Sequence, residues 1–297
     1  MIWKLVLENY RCFRQAQVRF GPLTALVGPN ASGKTTILRA LEPRRLVPED
    51  VWRRRGSPTV ECYLSTGQNW IRTARPPGSP PYDYRFLRLN LDALRKPNDV
   101  EEATSLGEVG QNLTNVFAGL PRSRQQELVT QFRGLVPVFA DIHAKPGAKG
   151  THRLVFQDAW AEEVWYEPHD VSDGSLLVLA FLLLQHEKRP ADVVAIEEPE
   201  RGIHPYLLEK VVGLLRAISR GEIGPKATQF VLASHSPQLL EYMEPGEVRF
   251  LSRDADGAVT VREAPTSSPE WERAFEEYAH SLGEAWLSGG LGGVPGS

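Results

Sequence analysis

The sequence has little cysteine and no long apolar run, and these absences exclude several classes of protein. Cys12 and Cys62 are its two cysteines among 297 residues, which excludes a disulfide-stabilised scaffold and a CxxC metal or redox pair. The longest apolar run, at 176–184, has about half the length that a transmembrane helix needs. The opening residues, MIWKLVLENYRCF, lack the basic and then apolar order of a signal peptide. We therefore expect a cytoplasmic protein with reduced thiols and no membrane partner.

The sequence also lacks a strong net charge of one sign, although its charge is unevenly distributed. The formal net charge is −3, which is not the composition of a chain that binds nucleic acid over its whole surface. Residues 39–96 contain 12 Arg and Lys against 6 Asp and Glu, whereas residues 254–297 contain 2 against 8. Such runs are usually solvated surfaces. The alternative for the arginine-rich run is contact with a phosphate backbone or an acidic partner.

The hydrophobic pattern predicts an α/β fold in which buried strands alternate with helices, an order typical of a largely parallel sheet. The expected strands lie at 2–8, 15–20, 23–28, 152–158, 163–167, 192–198 and 228–236, with more strands around a proline- and glycine-rich loop at 75–81 and a hairpin at 247–263. The expected helices lie at 33–45, within 91–137, and at 174–188, 205–219 and 268–287.

The segment LVGPNASGKTT at 26–36 matches the phosphate-binding pattern GxxxxGK[ST]. Its glycines let backbone N–H groups turn toward phosphates at the start of the next helix. In this pattern Lys34 reaches the β- and γ-phosphates of a nucleotide, and the Thr35 hydroxyl binds Mg²⁺. The predicted nucleotide-binding residues of this loop are Asn30, Ala31, Ser32, Gly33, Lys34, Thr35 and Thr36.

Two glutamates end a predicted buried strand in VVAIEEPE at 193–200. The carboxyl edge of a parallel sheet is where nucleotides bind, so this strand delivers two carboxylates to that edge. We predict that Glu197 holds Mg²⁺ and that Glu198 polarises the water that attacks the γ-phosphate. An acidic strand end that is merely solvated is the alternative, and the upstream phosphate-binding loop argues against it.

Two further segments are candidates for contact with the γ-phosphate. His235 follows another apolar strand in ASHSP at 233–237, and we predict that it senses or stabilises the γ-phosphate. Ser172 and Gly174 stand at the start of a strongly apolar helix, whose N-terminus can receive an anion. Considered alone, Ser172 is an N-cap and nothing more.

The order of these motifs resembles that of the ABC-type ATPases, and within them the SMC/RecF-like heads. The resemblance rests on LENYRCF at 7–13, on EEPERGIHP at 197–205 and on the tail GEAWLSGGLGGVP at 283–295, and it extends over nearly the whole chain. It implies an α/β fold, an ABC-type P-loop NTPase head with a mixed-sheet core and a helical or mixed second lobe. The implied divisions of the single head 1–297 are lobe I at 1–89 and 190–264, lobe II at about 90–189, and a C-terminal helix with a glycine-rich tail at 265–297.

The resemblance also implies a mechanism and further site residues. Heads of this kind form a head-to-tail homodimer around two ATP molecules and their Mg²⁺, so Ser172 and Gly174 would cap the γ-phosphate bound by the partner. Arg11 and Phe13 match positions near the nucleotide, and Tyr10 is a candidate to stack on adenine. The implied catalytic residues are Lys34, Glu198 and His235, and the implied metal ligands are Thr35, Glu197 and Asn90, with Gln111 as the second choice for the last position.

The sequence departs from the family pattern in three ways. The signature that usually reads LSGGQ is VSDGS here, so Asp173 places a carboxylate where a γ-phosphate is expected. Glu197 replaces the usual aspartate with a longer side chain. Lys34 and Ser172 are only 138 residues apart in the sequence, which leaves no room for the long arms of SMC proteins.

The leading interpretation is an ATP-hydrolysing, dimerising switch that acts with DNA and with a nuclease or effector partner, in repair or anti-phage defence. The second is an ATP-gated scaffold or sensor with negligible turnover, which Asp173 leaves open. The third, disfavoured by VSDGS and by the N-terminal motif, is the nucleotide-binding subunit of a transporter. The absence of an NKxD motif argues against a GTPase, and the scattered acids Asp141, Asp158 and Asp170 form no nuclease pattern.

Overall fold

The structure is a computed structural model of the chain. It describes residues 1–42, 48–54, 56–66, 69–74, 82–264, 266, 275–276, 278 and 280–289. The loop predicted at 75–81, the beginning of the helix predicted at 268–287 and the end of the tail motif at 290–295 lie outside these residues.

The described elements follow the predicted α/β order. In chain order they are β1 (Ile2–Tyr10), β2 (Phe13–Arg19), β3 (Leu23–Val27), α1 (Lys34–Leu41), β4 (Thr59–Thr66), β5 (Asn69–Ala74), β6 (Tyr84–Leu87), α2 (Leu91–Leu94), β7 (Asn98–Asp99), α3 (Leu113–Ala118) and α4 (Arg122–Leu135). These are followed by β8 (Phe139–Pro146), β9 (Thr151–Asp158), β10 (Trp165–Tyr166), α5 (Asp173–Leu183), β11 (Val193–Glu197), α6 (Pro205–Ser219), β12 (Gln229–Ser234), α7 (Pro237–Leu240), β13 (Val248–Arg253), β14 (Val259–Glu263) and α8 (Leu282–Leu287).

The chain divides into two compact units, and each is described separately. Unit 1 contains residues 1–86, 191–200 and 229–297, and unit 2 contains residues 87–190 and 201–228. The predicted lobe I included 190–264 without a break, whereas the segment 201–228 groups with the second unit. The reason is packing, since α6 of this segment lies against α5.

The central sheet of unit 1 has the strand order β14-β13-β3-β12-β11-β6. Strands β3, β11, β12 and β13 are mutually parallel where they pair, and β14 returns antiparallel to β13. Every residue of β3 and β12 is buried, which is why these strands read as continuous apolar runs rather than as alternating patterns. The prediction of an α/β fold with a mixed sheet is confirmed.

A second sheet of unit 1 is antiparallel, with the order β2-β1-β4-β5. Its inner face and α1 form one hydrophobic core, which includes Leu5, Leu7, Phe13, Ile37 and Leu38. Helix α1 begins at Lys34, directly after the left-handed Gly33. This core therefore fixes the position of the helix that begins at the phosphate-binding loop.

Unit 2 combines a small antiparallel sheet with helices. Strand β9 pairs with β8 along one edge and with β10 and β7 in the same sheet. Residues 175–183 of α5 are buried on every side of the helix, as expected for a helix that is apolar all round. No helix of the described residues is long and apolar enough to cross a membrane.

Candidate functional site

Three neighbouring strand ends bring the predicted catalytic residues together in unit 1. In the register of the parallel strands, Glu197 lies beside Ala233, and Ser234 lies beside Val27. The phosphate-binding loop, the paired glutamates and His235 therefore all leave the sheet at one edge. A cavity of about 260 Å³ opens there, and its lining includes Asn30, Ala31, Ser32, Gly33, Lys34, Thr35, Thr36, Glu197 and Glu198.

The two glycines of the loop are required by close packing. A Cβ on Gly28 would lie 2.6 Å from the carbonyl oxygen of Leu251. Gly33 has φ of 93°, and a Cβ there would lie 2.9 Å from Cys12 Sγ. Only glycine adopts this left-handed conformation at so little cost. Both positions of the GxxxxGK pattern thus have a geometric explanation.

The Lys34 ammonium donates hydrogen bonds to the backbone of its own loop. Its Nζ donates to the carbonyl oxygens of Gly28, at 2.7 Å, and Pro29, at 2.8 Å. Burial lowers the pKa of Lys34, and the nearby carboxylates of Glu198 and Glu197 act in the opposite direction. The cation is thus held beside the N–H groups that begin α1, where a phosphate would meet both.

The Thr35 hydroxyl and the Glu197 carboxylate form a hydrogen-bonded pair at this edge. Hydroxyl and carboxylate oxygens are hard ligands of the kind that Mg²⁺ prefers. The donor set therefore fits the divalent cation that nucleotide chemistry requires, with Thr35 and Glu197 as the residues that would hold it.

Glu198 has a strained backbone and a histidine partner. Its φ is 49°, and its N–H donates to the carbonyl oxygen of Ala233 at 2.8 Å. His235 Nδ1 lies 3.3 Å from Glu198 Oε1. Positive φ values of non-glycine residues cost energy and concentrate at functional sites. The Glu198 carboxylate therefore lies next to His235 on a strained turn, a geometry that a general base with an orienting partner would need.

Glu200 was not predicted as a site residue, yet it accepts a hydrogen bond from Ser234, directly before His235. Ser234 Oγ donates to Glu200 Oε1 at 2.6 Å and accepts from the Ser236 N–H at 2.9 Å. Glu200 Oε2 is buried and has no hydrogen-bond partner among the described residues. Burial raises the pKa of Glu200. The third acid of EEPE was visible in the sequence, but nothing there distinguished it from a solvated residue.

Arg253 is a second residue that sequence analysis missed. Its Nη2 donates to the carbonyl oxygen of Ala31 at 2.7 Å, and its Nη1 donates to that of Gly257 at 2.6 Å. Ala31 also has a positive φ, of 60°. Arg253 thus ties the strained tip of the phosphate-binding loop to the β13–β14 hairpin.

The N-terminal motif has a structural role that differs from part of the prediction. Phe13 and Tyr10 are both completely buried, and a Cβ on Gly33 would lie 3.0 Å from the Phe13 ring. Phe13 therefore supports the loop from within the core, and its position near a nucleotide stays a prediction. Tyr10 is completely buried and is too enclosed to stack on adenine. Arg11 remains accessible, and its Nε donates to the buried Asp50 at 2.7 Å.

In unit 2, the start of α5 has the form of a capped helix. The Ser172 hydroxyl accepts from the Ser175 N–H at 3.3 Å and lies 2.7 Å from the Ser175 hydroxyl. A Cβ on Gly174 would lie 3.3 Å from the carbonyl oxygen of Gly202. Both residues therefore have structural roles in this unit. Their action on the nucleotide of a partner stays a prediction.

The unusual Asp173 of the signature is paired within its own unit. Arg95 Nη2 lies 2.5 Å from Asp173 Oδ1. The same guanidinium donates to the carbonyl oxygens of Pro168 and Val171, at 3.2 and 3.4 Å. The Arg95 side chain is 17% exposed and that of Asp173 is 53% exposed, so the ion pair lies at the surface and the carboxylate keeps contact with water.

The predicted third metal ligand has a local role. Asn90 Oδ1 accepts from the Ala93 N–H at 3.0 Å and so caps α2. Gln111 Oε1 accepts from the Val109 N–H at 3.3 Å. Both residues lie in unit 2, whereas Thr35 and Glu197 lie in unit 1. Coordination of Mg²⁺ by Asn90 stays a prediction.

Comparison with protein families gives two matches on this chain. Residues 95–241 match the family described as an AAA domain, putative AbiEii toxin, Type IV TA system. Residues 1–43, which contain the phosphate-binding loop, match the AAA ATPase domain family.

Solved SMC heads have the same fold. The SMC head domain from Thermotoga maritima aligns with a TM-score of 0.55 at 18% identity, covering 88% of this chain and 98% of that one. The SmcHead bound to the C-winged helix domain of ScpA aligns with a TM-score of 0.61 at 13% identity, covering 90% and 98%. At these sequence identities, the structural similarity shows a shared fold and nothing further.

A curated relative matches over a short segment. The OLD nuclease of Thermus scotoductus is 52% identical over 52 residues, which are 18% of this chain and 9% of that protein. The match therefore spans less than a tenth of the nuclease.

The buried Glu200 generates a prediction about stability. Because its pKa is raised in the folded state, the unfolded chain ionises first as pH rises. The free energy of unfolding should therefore fall above the unfolded-state pKa near 4.3, until the folded-state pKa is passed. Glu200→Gln keeps an acceptor for Ser234 and cannot ionise. It should gain stability over the wild type as pH rises, by about 1.4 kcal/mol for each unit of elevation.

Urea unfolding from pH 4 to pH 8 measures this difference. The matched control is Glu8→Gln, at an exposed glutamate of β1. An advantage of Glu200→Gln that is the same at every pH would contradict the assignment of a raised pKa.

Proposed function

We propose that this chain, an SMC/RecF-like ABC-type ATPase in fold and motif order, binds and hydrolyses ATP with Mg²⁺. The observation that carries the proposal is the meeting of Lys34, Glu198 and His235 at adjacent strand ends. His235 Nδ1 lies 3.3 Å from Glu198 Oε1, and both glutamates of the pair line the cavity of the phosphate-binding loop. A carboxylate that can act as a general base beside a phosphate-binding loop supports hydrolysis of the nucleotide rather than binding alone.

Each residue has a defined task in this chemistry. The N–H groups of the loop and the Lys34 ammonium bind the β- and γ-phosphates. Thr35 and Glu197 would hold Mg²⁺, which supplies positive charge to the phosphate oxygens. Glu198 orients the attacking water and accepts its proton, while His235 holds the carboxylate in position. Glu200 and Ser234 position His235 through the turn that they fix.

We further propose that two copies close head-to-tail on ATP. In this arrangement Ser172, Gly174 and the N–H groups of the α5 N-terminus bind the γ-phosphate held by the other copy. Ser172 is the N-cap of α5 and so stands at the positive end of the helix dipole, which is the position that this role requires. The Arg95–Asp173 ion pair also supports this role, because the guanidinium offsets the negative charge of a carboxylate that would otherwise repel a phosphate. ATP then favours the closed dimer, and hydrolysis releases it.

The process that the switch controls is proposed to be DNA repair or anti-phage defence, with a nuclease or effector as partner. The short match to an OLD nuclease and the match to a family named for a putative toxin support this context. The arginine-rich run at 39–96 is the candidate for contact with DNA. An ATP-gated scaffold without turnover is the second candidate, which the unusual Asp173 leaves open.

Replacement of the proposed base should separate binding from hydrolysis. Glu198→Gln removes the proton acceptor and keeps the shape of the side chain, so phosphate release should fall at least about 100-fold, within the range for general-base catalysis. ATP should convert this variant to a stable dimer, measured by light scattering coupled to size exclusion.

Lys34→Ala is the matched control, because it should abolish both nucleotide binding and dimer formation. If Glu198→Gln stays monomeric at saturating ATP, the head-to-tail mechanism does not apply. If the wild type assembles on ATP without releasing phosphate, the scaffold replaces the ATPase as the better proposal.

The ion pair of the signature gives a prediction about dimer closure. Arg95→Ala in the Glu198→Gln background leaves the Asp173 carboxylate without its partner, so the ATP-dependent dimer should weaken about tenfold, or about 1.4 kcal/mol. Adding Asp173→Asn should restore most of the affinity, since it removes the repulsive charge. Sedimentation velocity across a concentration series measures both values.

Arg124→Ala, which breaks an exposed ion pair with Glu127 on α4, is the control for loss of a surface arginine. Failure of Asp173→Asn to rescue Arg95→Ala would show that Arg95 acts by anchoring the Pro168 and Val171 carbonyls, not by offsetting charge.

A further inference from the structure

A second, larger cavity, which is shallow and widely open to solvent, adjoins the phosphate-binding loop in unit 1. It has a volume of about 760 Å³, and Cys12, Thr36 and Arg253 line both cavities. The phosphate cavity, at about 260 Å³, is smaller than the roughly 300–1,000 Å³ of pockets that enclose a whole small ligand. A nucleoside triphosphate therefore needs space outside the phosphate cavity.

The direction of that space follows from the glutamates, because Glu197 and Glu198 line the phosphate cavity and are not among the residues that line the larger one. Lys34 contacts the β- and γ-phosphates in this motif, and the loop backbone holds the α- and β-phosphates. Thr36, the last residue of the loop segment, opens onto the larger cavity. The sugar and base attached to the α-phosphate are therefore expected to extend past Thr36 into it.

Trp52 is the aromatic residue among the described residues that line this larger cavity. It begins a 3-10 turn at Trp52–Arg54 and is half-buried. The Arg53 guanidinium carbon lies 4.8 Å from the centroid of a Trp52 ring, and Arg53 Nη2 donates to the carbonyl oxygen of Asp256 at 2.5 Å. Arg53 thus lies over one face of the indole, and because Trp52 is only half-buried, a base would stack on the other face.

Backbone strain marks the same region independently. Among the described residues, seven non-glycine residues have positive φ, and four of them line these two cavities. The four are Arg11, Ala31, Arg53 and Glu198. Since strain of this kind is retained where the surrounding structure enforces it, often at ligand sites, the larger cavity shares a property of the phosphate site.

We propose that Trp52 is the platform on which the nucleobase stacks, an inference that rests on the proposed binding of ATP. Stacking on an indole contacts the face of the base, and every base has such a face. Trp52 therefore increases affinity for ATP and GTP alike and does not distinguish adenine from guanine. It adds nothing to the binding of the phosphates, which Lys34 and the loop provide.

The test compares a nucleotide with its phosphate part alone. Binding of ATP, GTP and inorganic tripolyphosphate to the full chain, each with Mg²⁺, is measured by isothermal titration calorimetry. Trp52→Ala should weaken ATP and GTP about tenfold, the scale of one lost base stack, and leave tripolyphosphate unchanged. Trp52→Phe should retain most of the nucleotide affinity.

Two matched variants complete the experiment. Trp160→Ala, at a tryptophan of unit 2 that is 80% exposed, should bind all three ligands as the wild type does. Lys34→Ala should lose tripolyphosphate together with both nucleotides. Thermal unfolding of each variant verifies that it is folded.

Distinct results overturn the two proposals. Unchanged ATP affinity in Trp52→Ala, or an equal loss of tripolyphosphate, overturns the platform. A wild type that binds tripolyphosphate as tightly as ATP also overturns the platform, while phosphate binding at the loop stands. A wild type that binds none of the three ligands overturns the proposed function and the platform with it.

Discussion

Hydrogen bonding between three parallel strands determines where the paired glutamates, His235 and the start of the phosphate-binding loop lie. Strands β3, β12 and β11 are neighbours in the sheet and share one register. The residue after each strand must then emerge at the same edge, whatever its side chain is. A shift of β11 by one residue would turn Glu197 to the opposite face. The buried apolar residues of these strands oppose such a shift, so the core maintains the chemistry of the site.

The site places three carboxylates and one lysine in a partly buried space, and their pKa values respond to it. The pKa of Lys34 is lowered and that of Glu200 is raised, in both cases mainly by burial. Each charged group is therefore costly there without partners. Negative phosphates and a divalent cation are ligands that would pair with these groups. Under the proposed function, a phosphate would pair with Lys34 and a divalent cation with the carboxylates that line the cavity, Glu197 and Glu198.

The parts of the site that follow from short sequence patterns were predictable. GxxxxGK[ST] and an apolar strand that ends in EE carry their chemistry in consecutive residues, so periodicity and spacing suffice to locate them. Glu200, Arg253 and Trp52 were not predictable, because their roles depend on contacts with residues distant in the sequence. Arg253, for example, meets the Ala31 carbonyl across 222 positions.

The aromatic residues show most clearly that a sequence pattern does not reveal which side chains are buried and which line a cavity. Tyr10, Phe13 and Trp52 were all available in the sequence as stacking partners. The alternation of a strand shows that neighbouring side chains face opposite sides, but not which side holds the core. The structure buries the first two completely and leaves Trp52 at the wall of a cavity. The sequence pattern of α6 likewise shows that the helix has an apolar face, but it does not identify α5 as the helix that this face contacts.

The Asp173 substitution in the signature is compatible with anion binding for a reason that involves two opposing effects. A carboxylate in the first turn of α5 stabilises the helix, because it interacts favourably with the positive end of the dipole. The same charge would compete with a phosphate for that end. Arg95 withdraws the carboxylate toward a guanidinium that is itself fixed by two backbone carbonyls. Asp173 is thus paired with Arg95 while Ser172 accepts from the Ser175 N–H, and this division of partners is what the proposal of anion binding at the turn depends on.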